Sequence, residues 1–339
     1  MARWFQHSFG FAEPKNFAAV QRCFRASEEP SDGSVPAAAG PVHVLSTATE
    51  EEGGGLAFHV GPFEDPQVSD LRSRVRSAAE SNDAPQGLGG LSFENIAGES
   101  RSMHVDPANA GAVFQVASQF NCLEMVGPDV RPEDGVTRYA YDRTQGPACA
   151  MACPSGTVWR NYFWAGRGQA GGDDHQLDTT RDAAALLENQ KHHYWQMTNG
   201  YLLPTRHDGL AELAQRLSTQ PGLRDEVRSA LRAGVHWDTA TEATPPHRVA
   251  QVFCSAVPVA YARGASDADW EPLARLALEA SYEATLLVGA ALAYHRQQRV
   301  PVYLTCVGGG AFGNATEWVH DAMQRACDGL KGMVRCRRP

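Results

Sequence analysis

Val249-Ala-Gln-Val-Phe-Cys-Ser-Ala-Val-Pro-Val-Ala-Tyr261 and Val300-Pro-Val-Tyr-Leu-Thr-Cys-Val307 are apolar almost throughout, and a helical pattern over 269–298 separates them. Continuous apolar runs, unlike alternating ones, belong to strands covered on both faces. A strand, a long helix and a second such strand make a right-handed parallel crossover. The stretch therefore predicts an α/β fold, with helices on both faces of a buried sheet.

Working upstream, the signals alternate. Strand-like patterns occupy 91–96, 111–120 and the aromatic run 158–164, with a Gly/Pro/Asp-rich stretch at 127–157 and a glycine turn at 166–172. Helices are predicted over 177–196, which carries Leu186, Leu187 and Trp195, over 209–218 behind the cap Asp208, and over 223–233. Nearer the N-terminus, 26–55 is rich in Ser, Pro, Gly and Glu and reads as a loop or flexible excursion. A short strand follows at 55–60, then a helix over 66–79 built on Val68, Leu71 and Val75, then a Pro/Gly linker over 82–90. This divides the chain into an N-terminal extension or subdomain, 1–90, and a main domain, 91–339, with a helical insertion near 173–233. No internal repeat is visible.

The chain has 339 residues and sets 30 Lys+Arg against 39 Asp+Glu, a formal charge of -9. Wrapping a nucleic acid needs clustered cations to displace counterions, and the largest cluster here is Arg335, Arg337 and Arg338. No nucleic-acid partner is expected, and an anionic ligand must be held locally. The eight cysteines imply no disulfide framework in a chain of this size; Cys149 and Cys153 lack the further ligands of a zinc site. His192 and His193 are adjacent on a predicted helix and point about 100° apart, so they share no metal. Met1–His7 has no apolar secretory core, and the apolar stretch 286–294 is closed by Glu283 and His295. An intracellular, cytoplasmic or nuclear, protein without membrane association is expected.

Gly308-Gly309-Gly310-Ala311-Phe312-Gly313-Asn314 follows the last apolar run and opens a helix. Glycines let amide N–H groups approach an anion, and a helix N-terminus adds partial positive charge. Gly308, Gly310 and Gly313 satisfy G-x-G-x-x-G, but a dinucleotide fold needs an acidic residue about 20 positions on and further βαβ units. No Gly-Lys-Ser/Thr closes the turn, which excludes a Walker A loop. Two readings remain: a phosphate-holding loop, or a tight turn without ligand.

Ser92–Asn121 reads SFENIAGESRSMHVDPANAGAVFQVASQFN. With Gly98-Glu99-Ser100 at a turn and Val116-Ala117-Ser118-Gln119-Phe120-Asn121 at a strand end, it resembles the opening of a macrodomain. The late loop Gly308–Gly313 is similar to the diphosphate loop of poly(ADP-ribose) glycohydrolases. Over about 91–330 the chain looks nearest to effector-type hydrolases that remove ADP-ribose from arginine of ubiquitin. It lacks the Gln-Glu-Glu triad of the glycohydrolases.

The resemblance implies a three-layer α/β/α mixed sheet and hydrolysis of ADP-ribose from modified protein side chains, ubiquitin among the targets, with neither metal nor cofactor. It places Glu99 at adenine, Asn121 at the distal ribose, and Gln145, Gly146, Gly308, Gly309, Gly310, Ala311, Phe312, Gly313 and Asn314 along the ligand. For Asn314 a helix-cap role is the favoured reading over ligand contact.

Hydrolysis at an anomeric carbon needs a carboxylate to orient water and balance oxocarbenium charge. Candidates in the loop after Asn121 are Asp142, Asp134 and Glu124 in that order, with Asp129 and Glu133 behind them. Asp142 precedes Thr144-Gln145-Gly146-Pro147, a turn suited to face the diphosphate. For each acid the alternative is a solvated loop residue. Arg160-Asn161-Tyr162 is a further candidate for the rim, with a strand-edge role as the alternative, and Tyr201 is another, with a packing role as the alternative. Two other readings stand beside the hydrolase: an ADP-ribose reader without turnover, and a scaffold independent of nucleotide.

Overall fold

The computed structural model describes residues 3–48, 55–81, 90–189, 191–206, 208–261 and 266–333. The chain opens with α1 (Trp4–Phe9), stopped by Gly10 in the left-handed conformation, and α2 (Phe17–Cys23), whose cap Asn16 accepts from the Ala19 amide. Trp4, Phe5 and Phe9 are buried against Tyr139, Trp159 and Tyr162 in one apolar cluster. Each such burial contributes about 1.5–3 kcal/mol, which fastens the N-terminal segment to the later chain.

Three antiparallel strands follow, β1 (Phe24–Glu29), β2 (Val42–Thr47) and β3 (Ala57–Gly61), in the order β1-β2-β3. They correct the expectation of a loop over 26–55, of which 49–54 lie outside the described residues. Only Phe24 is buried in β1, so the strand rests on its ladder with β2 and carries no apolar alternation to betray it.

The main sheet begins with β4 (Phe63–Glu64). Next comes α3 (Val68–Glu80), which buries Val68, Leu71 and Val75 as the spacing predicts. Residues 82–89 of the predicted linker lie outside the described residues. No strand forms at 91–96; residues 90–99 are exposed and without regular structure up to α4 (Ser100–Val105). The central strand β5 (Val113–Ala117) falls inside the predicted 111–120.

Beyond it, α5 (Gln145–Ala152) and α6 (Pro154–Tyr162) correct the aromatic strand expected at 158–164. All nine residues of α6 are buried, Ser155, Thr157, Arg160 and Asn161 among them, so its polar residues do not mark a solvent face. The helix expected over 177–196 is only α7 (Arg181–Leu186). Glu188 and His192 then adopt positive φ, and a hairpin follows, β6 (Trp195–Thr198) and β7 (Tyr201–Pro204). Asn199-Gly200 turns it at φ 47° and 79°, the left-handed geometry of a two-residue hairpin turn.

α8 (Gly209–Thr219) and α9 (Pro221–Ala230) occupy the predicted helical positions. A strand missing from the expectation, β8 (Gly234–Ala240), precedes β9 (Arg248–Cys254). Then come α10 (Asp267–Arg296), β10 (Val302–Tyr303) and α11 (Thr316–Met333).

The sheet order is β10-β5-β9-β8-β4, with β5 parallel to both β10 and β9, and β8 and β4 antiparallel to their neighbours. The crossover β9–α10–β10 therefore joins two parallel strands across β5, as the apolar runs predict. Side chains alternate between two layers. Val113, Gln115, Val252 and Cys254 face α10, while Phe114, Val116, Gln251 and Phe253 face α4, α5 and α6. Helices thus cover both faces of a mixed sheet. β4 and α3, from the stretch assigned to the N-terminal extension, are built into the sheet and packed on α10. By length and composition α10 is apolar enough to cross a membrane, yet 72% of that window is buried inside the fold, as in a core helix.

Candidate functional site

Ligands of α/β sheets gather where parallel strands end at their carboxyl edge. Here β5 ends at Ala117, β9 at Cys254 and β10 at Tyr303, and the chain beyond each strand lines one edge. Since β10 is only two residues long, it leaves the end of β5 without a neighbour on that side. The Gln145 side chain fills that place: its carbonyl accepts from the Ala117 amide (2.8 Å) and its amide donates to the Gln115 carbonyl (2.8 Å). Gln145 is thus spent as a surrogate strand, not as a ligand contact. Gly146 follows because a Cβ there would run into the Ala117 carbonyl oxygen.

The glycine loop is exposed from Gly309 to Ala311. Gly308 and Gly313 both sit at φ 73°, where a side chain is strained, and a Cβ on Gly308 would meet Ala256. Within the loop, the Gly309 amide donates to Cys306, Gly313 to Gly310 and Asn314 to Gly308. Among the described residues the amides of Gly310, Ala311 and Phe312 make no bond to backbone, and they stand ahead of α11. Asn314 is not the helix cap, since α11 starts at Thr316. It is buried and donates to the carbonyls of Val257 (2.9 Å) and Gly308 (3.3 Å), tying the loop to the end of β9.

Phe312 meets Tyr201 and Tyr261 at ring-centroid distances of 5.5 and 5.6 Å, and the two tyrosines lie 5.4 Å apart. The Tyr201 hydroxyl donates to the Met125 carbonyl (2.6 Å). Burial first, then Tyr261 and the negative charge of Asp142, push this phenol well above its ordinary range. Asp142 stands three residues before Gln145, whose side chain docks on the end of β5, and this puts it near the carboxyl end of that strand. Its carboxylate accepts from the Thr144 amide (2.8 Å). Tyr261 and the glycine-loop contact of Tyr201 depend on tertiary packing, and nothing local in the sequence flags Tyr261.

The other predicted residues are distributed differently. Asn121 is fully buried; its amide donates to Gln176 (2.7 Å), its carbonyl oxygen accepts from Leu123 (3.1 Å), and Gly200 at the hairpin tip lies on it. Glu99 caps α4, accepting from the amides of Arg101 and Ser102, and these bonds offset burial to hold its carboxyl below the ordinary range. Asp134 accepts from the Arg131 amide (2.9 Å) and lines a cavity of about 220 Å³ with Phe5, Lys15 and Arg138, which the glycine loop does not enter. Glu133 accepts from the Gly171 amide (2.9 Å).

Glu124 is 2% exposed, behind Gly146. Burial raises its carboxyl to about 7, against the pull of Arg160 at 3.4 Å. Arg160, a predicted rim residue, is instead 1% exposed in α6. It donates to the Cys122 carbonyl (2.9 Å) and to His236 Nδ1 (3.2 Å), and its guanidinium stacks 3.8 Å from the Phe253 ring. Among the described residues no three of His, Cys, Asp and Glu converge to hold a metal.

No protein-family model matches the chain, and neither a curated protein nor a solved structure does.

Proposed function

We propose that the chain is a macrodomain-like protein that binds ADP-ribose along the carboxyl edge of β5, β9 and β10 and hydrolyses it from a modified protein side chain. The observation that carries this reading is a convergence. A glycine loop with three amides bonded to no backbone among the described residues, the start of a helix, an aromatic cluster and, three residues before the docked Gln145, Asp142 gather around the carboxyl ends of these strands. Neutral amides suit a diphosphate in a chain of charge -9, and they leave the carboxylates for sugar and water.

In this scheme the amides of Gly310, Ala311 and Phe312 hold phosphate oxygens, and the Phe312 ring shapes the distal ribose pocket. Asp142 orients the attacking water and balances positive charge at the anomeric carbon. The macromolecular partner is an ADP-ribosylated protein in the cytoplasm or nucleus, with arginine-modified ubiquitin the first substrate to try. The decisive experiment follows release of ADP-ribose from such a substrate over time. The proposal expects release by the wild type and loss of it in Asp142→Ala; release at the wild-type rate by that variant removes Asp142 from the mechanism.

One observation favours a reader without turnover: the Asp142 carboxylate already serves the Thr144 amide. Saturable binding with no release of ADP-ribose would establish that reading instead.

A further inference from the structure

The second apolar run predicts a strand over 300–307, but the ladder with β5 stops at Tyr303. The next residues, Leu304–Val307, form the stem of the glycine loop and lie outside that ladder. Two side chains meet the polar groups of Thr305 and Val307. The Thr305 amide donates to Gln115 Oε1 (3.1 Å), and the Thr305 carbonyl accepts from the Tyr282 hydroxyl (2.7 Å). The same hydroxyl accepts from the Val307 amide (3.1 Å), which also reaches the Thr305 carbonyl (2.9 Å).

Both side chains belong to a polar seam in an otherwise apolar interface. Tyr282 is fully buried on α10. Gln115, on β5, donates to Thr285 Oγ1 (3.1 Å), one turn further along the same helix. Buried polar groups cost free energy unless each finds its partner, so a seam in this place has to be accounted for. This one terminates on the backbone of the loop stem, within three residues of Gly308.

We infer that Tyr282, held in register with Gln115, is the positioning residue of the glycine loop: its hydroxyl sets where the stem leaves the sheet, and so where the loop amides point. The consequence for ligand affinity rests on the function proposed above; the consequence for the loop itself does not.

Tyr282→Phe keeps the ring and removes only the hydroxyl, leaving the Thr305 carbonyl without its side-chain donor. Amide hydrogen exchange over 305–313 is expected to speed up roughly ten-fold while β8 is unchanged, the scale of one lost buried hydrogen bond. ADP-ribose is expected to bind about ten-fold more weakly to the folded variant. Thr285→Val, which touches Gln115 and not the loop, should give the same pattern in smaller degree and covers the case in which Tyr282→Phe does not fold.

Unchanged exchange over 305–313 in the folded variants overturns the inference. So does a lowered melting temperature with wild-type exchange and affinity, the mark of a purely structural tyrosine. If the wild type itself binds no ADP-ribose, the proposed function falls, and the exchange result still decides the role of Tyr282.

Discussion

The glycine loop 308–313 and the acidic stretch 121–142 flank the same edge of the sheet but are built in opposite ways. The loop presents backbone: Gly309, Gly310 and Gly313 are exposed, three of its amides bond to no backbone among the described residues, and its shape depends on two positive φ angles and on anchors outside it. In the acidic stretch Asp129, Glu133 and Asp134 are exposed, whereas the residues next to β5 are not. Asn121 and Glu124 are buried and committed, and the N-terminal segment locks its middle, because Glu13 accepts from the amides of Val136 and Thr137 and from the Tyr162 hydroxyl. Asp142, at its far end, precedes the Gln145 side chain that docks on β5. A ligand would therefore be gripped by the backbone of one region while the other supplies a rigid wall and one carboxylate. Substitutions in the wall should cost stability, and substitutions in the loop should cost binding.

The largest effect is expected at the centre of the wall. Arg160→Ala leaves Glu124 buried without its cation and should destabilise the fold by about 3–5 kcal/mol, read as a fall in the urea midpoint. The loss should be greater at pH 8 than at pH 6, because a protonated Glu124 needs no partner. An equal loss at both pH values would show that the pair is not coupled.

The next effect is the pH dependence of the wild type. Glu124 has a folded-state value of about 7 against an ordinary 4.5, so the folded chain binds its proton more tightly than the unfolded chain does. This contribution is full below about 4.5 and is lost as pH rises through 7, on the order of 3 kcal/mol for so buried a group. Glu124→Gln should remove that slope and match or exceed wild-type stability at pH 8. A variant that keeps the slope would place the titration elsewhere.

Smaller in stability is Gly308→Ala. A left-handed φ and the approach to Ala256 should cost about 1–3 kcal/mol, with ADP-ribose binding lost. Smallest is Asp142→Ala, which forfeits one turn bond to the Thr144 amide, under about 1 kcal/mol, while ending hydrolysis. If the Asp142 variant instead unfolds, that residue belongs to the wall.

The parts of the fold legible in sequence were those whose burial leaves a periodic trace. β9, α10, α3 and the glycine loop announce themselves because their apolar spacing or glycine content is local. α6 does not, since its polar residues are buried with its apolar ones, and its aromatics imitate a strand. β1 is hidden for the opposite reason, with five of its six residues exposed. The hairpin β6–β7 did carry a local sign, Asn199-Gly200, which the apolar pattern around Leu186, Leu187 and Trp195 obscured.

At the site, the loop glycines could be found from sequence because their chemistry is that of the backbone. The acids could not be ranked, because a carboxylate that caps a turn, like Asp134, and one buried beside an arginine, like Glu124, look alike until tertiary packing separates them. Tyr282 lies on a helix whose apolar neighbours give no hint of where its hydroxyl ends.

The central claim is tested most directly by calorimetric titration of the wild type and Gly308→Ala with ADP-ribose. The account predicts heat from one site per chain in the wild type and none in the folded variant. No heat from the wild type, or equal heat from both proteins, would contradict it.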